Sequence, residues 1–237
     1  MKVLAVDTSS IVATVAIIDE DKLIGEYVLN HKKTHSQKLM PMIQEILSIA
    51  ELTVQDIDIF AVANGPGSFT GLRIGAATIK GLAHAMDKPL VGISSLDGLA
   101  FNLPFCKYLI CPIMDARREQ VYNALYQWID KTFYMIEGHR AISIEQLIEE
   151  LKEKREKVIF TGDAVAVYRD KLIDALGDLC EFAPISSRMQ KASSIAGLAL
   201  QKVSLGEVEN YMTFSPTYLR KSQAEREYEE KCRKVLT

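Results

Sequence analysis

The stretch Asn64-Gly-Pro-Gly-Ser-Phe-Thr-Gly-Leu-Arg-Ile-Gly75 contains a glycine-rich turn that leads into a helical pattern. It follows an apolar run over 57–63 that is typical of a buried strand, and it opens a helical pattern over 69–86. Because a strand followed by a tight turn and a long helix is the repeating unit of α/β proteins, the stretch predicts an α/β fold.

The residues of the turn leave two interpretations open. Gly65 and Gly67 permit positive φ and close approach of another backbone. Ser68 or Thr70 can cap the helix, and the free N–H groups in the first turn of the helix can then hold an anion. Arg73 in the first helical turn could pair with that anion or with a carboxylate. The turn is therefore either a phosphate cradle or a tight junction between closely packed elements.

The rest of the first half alternates strand and helix signals. A helical pattern that contains Pro41 follows the predicted strand over 23–29. We expect Pro41 in or near the first turn of this helix, which would then begin a few residues after Ser36. In the second half, Ser143 with Gln146 three residues later matches a capping box. Outside the glycine-rich stretch, the predicted elements are strands over 2–6, 13–18, 23–29, 90–93, 108–114, 119–126 and 158–161, and helices over 36–50, 143–155, 164–176 and 193–204.

The two halves of the chain resemble each other. In both Val3-Leu-Ala-Val-Asp7 and Ile110-Cys-Pro-Ile-Met-Asp115, an apolar strand ends in an aspartate and is followed by a short connection and a returning strand. This repetition predicts two related α/β lobes. We expect an N-terminal lobe over 1–103, a C-terminal lobe over 104–212, and a tail over 213–237, which from Tyr218 onward forms a solvated helix.

Composition narrows the class of protein. The chain has 237 residues, of which 48% are hydrophobic and 25% charged, as in an ordinary soluble globular protein. Its net charge of −3 gives no general attraction to nucleic acid or to an anionic membrane. We find no signal peptide, no membrane span and no metal-finger spacing of cysteines, and therefore expect a cytoplasmic protein with reduced thiols. The four cysteines are Cys106, Cys111, Cys180 and Cys232.

A second candidate site lies in the first hairpin. Asp7 at the end of the first strand could hold hydrated Mg²⁺, while Thr8, Ser9 and the turn amides could meet phosphate. The alternative is an Asx-type turn with no ligand. The set of nucleotide or anion contacts that remains open is Asp7, Thr8, Ser9, Gly67, Ser68 and Arg73.

The residue patterns of two predicted helices indicate a docking surface. The helix over 36–50 has an unusually broad apolar face, which either a second element covers or a protein partner contacts. In the helix over 69–86, small residues four apart let another backbone approach, so that a bulky side chain at Gly75 is expected to prevent docking while leaving the fold intact. The predicted interface residues are Leu39, Met42, Ile43, Ile46, Ile49, Gly71, Gly75 and Thr78.

The remaining polar clusters support no catalytic site. His31 and His35 have a spacing that chelates metal on a helix, but they precede the predicted helix and no carboxylate is near them. Asp115-Ala-Arg-Arg-Glu119 could bind an anionic partner or be self-paired surface charge. No catalytic triad and no metal ligand set can be nominated.

With these motifs in view, nearly the whole chain resembles the TsaB (YeaZ) family of accessory proteins in bacterial tRNA threonylcarbamoyladenosine synthesis. The resemblance implies the two-lobed actin/hexokinase/Hsp70-like (ASKHA) fold, with a duplicated lobe built on a mixed five-stranded sheet and flanking helices. It rests on Val6-Asp-Thr-Ser9, Thr34-His-Ser36 with Leu39 and Pro41, Gly65 to Gly75, Lys80-Gly-Leu-Ala83, Met114-Asp-Ala-Arg-Arg118 with Val121-Tyr122, and Pro216-Thr-Tyr-Leu-Arg220 with Ala224-Glu225.

The larger family includes the catalytic TsaD-like proteins, once described as glycoproteases of peptidase type M22. In those proteins a His-x-x-x-His pair on a helix after the glycine motif binds the metal, and Ser95 and Leu99 stand at the corresponding positions here. Leucine cannot ligate a metal and serine is a poor ligand. In the second hairpin, Ala116, Arg117 and Arg118 replace the small residues usual in phosphate-gripping turns.

The resemblance therefore implies a non-catalytic subunit with no cofactor of its own. Its partners would be a TsaD-like catalytic subunit and a TsaE-like ATPase, with tRNA reached only through the complex and a homodimer when the partner is absent. A weak ATP or ADP site at a complex interface stays open. The alternatives are an ATP-dependent phosphotransferase or ATPase using Asp7, Ser9 and Ser68, an M22-type peptidase, and a pure RNA-binding module.

Overall fold

The computed structural model describes residues 1–30 and 35–220, which form two sheets and their helices. The predicted helical tail lies mostly outside the described residues, as do His31 and Cys232. The strands are β1 (Val3–Asp7), β2 (Val12–Ile18), β3 (Leu23–Asn30), β4 (Ile59–Gly65), β5 (Leu90–Ser94), β6 (Leu109–Arg117), β7 (Gln120–Ile129), β8 (Thr132–Ser143), β9 (Val158–Thr161) and β10 (Cys180–Phe182). The helices are α1 (His35–Ile49), α2 (Phe69–Met86), α3 (Ser95–Phe101), α4 (Ile144–Lys154), α5 (Val165–Leu176) and α6 (Ala192–Ser204).

The sheet of the N-terminal lobe has five strands in the order β3-β2-β1-β4-β5. The β1–β2 and β2–β3 pairs are antiparallel hairpins, whereas β4 and β5 join β1 as parallel strands. Strand β1 is buried along its whole length because helices cover both faces. On one face α1 and α2 pack over Leu4, Val6 and their neighbours, and on the other face α6 packs over Val3 and Ala5.

The sheet of the C-terminal lobe repeats this arrangement with the order β10-β9-β6-β7-β8. Again the first strand, β6, forms an antiparallel pair with β7 and a parallel pair with β9. Helices α4 and α5 cover one face, as α1 and α2 do in the first lobe, and α3 packs on the other. The predicted duplication of a mixed five-stranded lobe is confirmed.

Two helices are exchanged between the lobes. Helix α3 belongs in sequence to the first lobe but packs on the sheet of the second, and α6 does the reverse. The two helices also meet each other, since a Cβ at Gly98 would lie 2.6 Å from Cδ1 of Ile195. Each sheet therefore completes its core with a helix from the other half of the chain, and the division at residues 103 and 212 stays a prediction.

The residues after α6 return to the N-terminal sheet. Leu90 and Glu209 form an antiparallel bridge, and Phe214 is buried in the core beneath α2. The N–H of Thr217 donates to the carbonyl of Asn64 at 2.7 Å. Residues 213–220 thus form a strap across the glycine-rich turn. No helix among the described residues is long and apolar enough to cross a bilayer.

The predicted start of α1 and the predicted capping box of α4 need correction. Helix α1 begins at His35, so Pro41 lies in its second turn. The N–H that Pro41 lacks would have met the carbonyl of Gln37, and both residues are exposed, so that water can take the place of the bond. Ser143 does cap α4 by accepting the N–H of Gln146 at 3.1 Å, but the Gln146 side chain donates to Glu150. Only half of the predicted capping box is formed.

Candidate functional site

The first hairpin turn is closed by its own hydrogen bonds. The N–H of Ser9 donates to Oδ1 of Asp7 at 2.8 Å, and Oγ1 of Thr8 donates to the carbonyl of Gly71 at 2.7 Å. All three side chains are buried, each with 1% of its surface exposed. The structure thus contains the Asx-type turn. The Thr8 hydroxyl and the Ser9 amide have partners inside the lobe, whereas the buried Ser9 hydroxyl has no hydrogen-bond partner among the described residues.

The glycine-rich turn packs directly against this hairpin. The N–H of Ser68 donates to the carbonyl of Ser9 at 2.6 Å, and a Cβ at Gly67 would lie 2.8 Å from Cβ of Ser9. Ser68 is the N-cap of α2, since its Oγ accepts the N–H of Gly71 at 3.3 Å. Gly65 has a φ of +120° and lies under the backbone of Thr217. The glycines serve close packing, which was one of the two interpretations of the turn.

Three acidic side chains lie near the ends of the two central strands. Burial raises the pKa of Asp7 from 3.8 to about 6, although the hydrogen bonds from Ser9 and the nearby His35 oppose this, and Asp163 adds to it. Burial also raises the pKa of Asp163, whose Oδ1 accepts the N–H of Asp115 at 3.2 Å. These carboxyl groups face buried surroundings and backbone donors. Among the described residues, no group of three or more His, Cys, Asp or Glu side chains could hold a metal ion.

The positions of the metal ligands in TsaD-like proteins do not fit a metal here. Ser95 and Leu99 are both fully buried in α3. Leu99 belongs to the apolar cluster between α3 and the C-terminal sheet, and Oγ of Ser95 has no hydrogen-bond partner among the described residues. Both side chains therefore contribute to the packing between the lobes.

The structure brings together a polar cluster that the sequence did not predict. Oδ1 of Asp97 accepts the hydroxyl of Tyr126 at 2.6 Å and lies 2.7 Å from Nε2 of His139. Burial and the Asp97 carboxylate raise the pKa of Tyr126 well above 10, so its hydroxyl stays a donor. The cluster borders a cavity of about 170 Å³ and ties α3 to β7 and β8. The three residues are far apart in the sequence and follow no spacing motif, so no pattern could have indicated them.

The predicted docking residues divide into two groups. Most of them are internal, so their side chains cannot form an exposed surface, and the prediction that they dock a partner is wrong. The expectation that a bulky side chain at Gly75 leaves the fold intact is wrong as well, because a Cβ there would lie 2.6 Å from Oγ1 of Thr8. Ile49 is 69% exposed and Thr78 is half-buried, so a docking role for these two stays a prediction. The internal residues are Leu39, Met42, Ile43 and Ile46, which pack in the core between α1 and the sheet, and Gly71 and Gly75, which face Thr8.

Arg73 and the second hairpin complete the predicted site residues. Arg73 pairs with no carboxylate among the described residues; its guanidinium lies 3.9 Å from the ring centroid of Phe69, and its Nε donates to the hydroxyl of Tyr218 at 3.3 Å. In the second hairpin Arg117 pairs with Asp115 at 3.0 Å, which confirms self-paired charge for one of the two arginines. Arg118 is exposed and forms no ion pair with any residue the structure describes.

Comparison with known proteins places this geometry in context. The family model described as TsaD, tRNA N6-adenosine threonylcarbamoyltransferase, matches residues 22–228. The tRNA threonylcarbamoyladenosine biosynthesis protein TsaB of Bacillus subtilis is 35% identical over 225 residues, covering 95% of this chain and 96% of that protein. The protein of the same name from Haemophilus influenzae is 32% identical, covering 68% of this chain and 72% of that protein.

The fold has a counterpart among solved structures. A crystal structure from Pseudomonas aeruginosa, described as an uncharacterized protein with similarity to peptidase YeaZ, superposes with a TM-score of 0.79 at 24% identity, covering 92% of this chain and 99% of that chain. Together with the two related five-stranded sheets, this likeness confirms the predicted fold of two related α/β lobes, each with a mixed five-stranded sheet and flanking helices.

Proposed function

Because the chain belongs to the TsaB (YeaZ) branch of the TsaD family, we propose that it is a non-catalytic subunit required for threonylcarbamoyl transfer to the adenosine beside the tRNA anticodon. The observation that carries this proposal is the match to the Bacillus subtilis protein, which extends over nearly the whole of both chains. That protein's name supports a role in tRNA threonylcarbamoyladenosine biosynthesis. The subunit would bind and activate a TsaD-like catalytic partner and act together with a TsaE-like ATPase.

The packing around the first hairpin turn, the glycine-rich turn and Leu99 supports a role without catalysis. A phosphoryl-transfer or metal site needs ligands that face a space in which substrate fits. Here the Thr8–Ser9 turn fills the space above Gly67 and Gly71, and Leu99 is packed between the lobes. The catalytic metal and its ligands would therefore belong to the TsaD-like partner.

The exposed faces of α1 and α2 are the surface we propose for docking. Because Gly71 and Gly75 face inward, the small residues that α2 presents to solvent are Ala77, Gly81 and Ala85. A Cβ at Gly81 would have no neighbour within 4 Å, so a partner helix can approach this face closely. Exposed Ile49 lies on the neighbouring α1. The same surface would pair two copies of the chain when the partner is absent.

Reconstitution tests the proposed function. The TsaD-like subunit, the TsaE-like ATPase and unmodified tRNA are incubated with ATP, threonine and bicarbonate, the enzyme that makes the threonylcarbamoyl donor, and either this chain or buffer. We expect modified adenosine, measured by mass spectrometry of digested tRNA, only when the chain is present. Equal modification without the chain would refute the proposal, and modification by the chain without the TsaD-like subunit would show that it is itself the enzyme.

A matched pair of variants tests the docking surface. Gly81→Leu should abolish co-purification with the TsaD-like partner, because the side chain holds the partner helix away. It should not lower the melting temperature, since leucine is a better helix former than glycine at an exposed position. Ala166→Leu on α5, the corresponding helix of the other lobe, is the control, because Ala166 is also exposed. Equal co-purification of both variants would exclude this face of α2.

A further inference from the structure

The tip of the β6–β7 hairpin holds three consecutive non-glycine residues in the left-handed region. Arg117, Arg118 and Glu119 have φ values of +64°, +55° and +57°. Each such residue costs about 1–2 kcal/mol relative to ordinary backbone, so the surrounding structure must hold the tip in place. It does so through a hydrogen bond from the N–H of Arg117 to Asp115 and one from Ile144 to the carbonyl of Glu119. The result is a fixed turn with two exposed arginines.

The strap places further arginine and aromatic side chains beside this tip. Arg220 donates to the carbonyl of Ala116. Two residues earlier, the ring centroid of Tyr218 lies 4.7 Å from that of Phe69, on which the Arg73 guanidinium stacks. A continuous chain of contacts thus runs from the start of α2 to the hairpin tip. We name it the arginine–aromatic surface, and it consists of Phe69, Arg73, Arg117, Arg118, Tyr218 and Arg220.

The charge of this surface opposes that of the whole chain. Its four arginines outnumber the three carboxyl groups beside them, Asp115, Glu119 and the buried Asp163, whereas the chain carries a net charge of −3. The side chain of Arg117 is 84% exposed although it pairs with Asp115, and Arg118 is exposed as well. The N-terminus of α2, with its partial positive charge, lies at the same surface. The positive potential is therefore local and faces solvent.

We propose that the arginine–aromatic surface binds RNA, namely the tRNA on which the complex acts, and this proposal rests on the proposed function. Guanidinium groups match phosphate oxygens and need no burial to do so. An acidic protein segment would also satisfy the arginines. RNA fits better because the ring of Tyr218, 39% exposed, offers a face or edge on which an unstacked base can lie, as aromatic residues do in RNA-binding proteins.

Neutralisation of one arginine tests the proposal. With the complex assembled, Arg118→Gln should weaken tRNA binding about eightfold at about 0.1 M salt, which is the counterion release of one phosphate contact, and should lower the salt slope by about 0.9. The measurement is fluorescence anisotropy of labelled tRNA over a series of salt concentrations. Arg155→Gln is the control: Arg155 is likewise exposed with a φ of +53°, but it lies at the far end of α4.

A second variant separates stacking from charge. Tyr218→Leu should weaken tRNA binding at least about fivefold while leaving the salt slope unchanged, since base stacking releases no counterions. If both variants bind tRNA as tightly as the Arg155→Gln control does, the proposal is wrong. It is also wrong if the variants no longer bind the TsaD-like subunit or the ATPase, because the surface then docks protein.

The outcomes separate this proposal from the proposed function. If the wild-type chain supports tRNA modification and Arg118→Gln binds tRNA normally, only the RNA surface is refuted. If the wild-type chain supports no modification, the proposed function is refuted, and the loss or retention of tRNA binding in Arg118→Gln still decides whether the surface binds RNA.

Discussion

Replacing Asp7 by asparagine tests whether this carboxyl is a buried structural group or a functional one. Asparagine keeps the shape and the oxygen that accepts the N–H of Ser9, but it has no charge to desolvate. In the folded chain the pKa is raised from 3.8 to about 6, chiefly by burial. The folded state thus binds the proton more tightly than the unfolded state. The stability that the protonated Asp7 carboxyl contributes to the folded state is fully present below about pH 3.8 and is lost as the pH rises through about 6.

The magnitude follows from the two pKa values. Above pH 6 the ionised carboxylate of the wild type lowers the free energy of unfolding by about 3 kcal/mol, and near pH 4.5 by about 1 kcal/mol. Asp7→Asn should therefore be more stable than the wild type, and the difference should widen by about 2 kcal/mol between about pH 4.5 and about pH 8. Urea denaturation followed by circular dichroism at each pH measures it. Asp170→Asn, an exposed change on α5, is the control and should show no such trend.

The same variant also tests the absence of catalysis. In the reconstituted complex Asp7→Asn should support tRNA modification within about twofold of the wild type, whereas removal of a catalytic carboxylate costs orders of magnitude. A stability difference that does not change with pH would refute the burial of the charge. A complex that folds and assembles but has lost tRNA modification would refute the structural role of Asp7.

Three further predictions concern the packing around the site and its affinity for nucleotide. Gly71→Ala should lower the free energy of unfolding by about 1–3 kcal/mol, because its Cβ would meet the backbone of Thr8, whereas Gly81→Ala should raise it by about 1 kcal/mol; urea denaturation compares the two. Tyr126→Phe should cost about 1–2 kcal/mol in the same assay through the lost bond to Asp97, and an unchanged stability would contradict that bond's role. Titration calorimetry of the isolated chain with Mg-ATP should show no micromolar binding; clear binding with turnover would instead favour the ATP-dependent alternative.

Much of the fold follows from local sequence signals. Helix α2 has the predicted bounds and cap because Ser68, the flanking glycines and the apolar periodicity all agree. The exchange of α3 and α6 between the lobes could not be predicted, since both helices are simply apolar and periodicity does not say which sheet an apolar face meets. The long strand β8 was missed for a related reason: it is an edge strand with many exposed positions and little alternation of burial.

The candidate site was predictable in its local turns and not in its contacts. The Asx-type bond between Asp7 and Ser9 spans two residues and can be expected from composition alone. The inward direction of Gly71 and Gly75 depends on where Thr8 lies, 63 residues away from Gly71. A stripe of small residues on a helix indicates a close neighbour, but it does not say whether that neighbour belongs to the same chain.

The two hairpin turns of the duplicated lobe differ in what they present to a ligand. In the first, the turn is buried and bonded to the glycine-rich turn, so the Thr8 hydroxyl and the Ser9 amide are used internally. In the second, Arg117 and Arg118 occupy a left-handed tip and are exposed to solvent. A nucleotide held between the lobes would need both turns to present free donors inward. The first turn uses its Thr8 hydroxyl and Ser9 amide internally, whereas the second presents exposed arginines on the surface, where they are suited to a large polyanion.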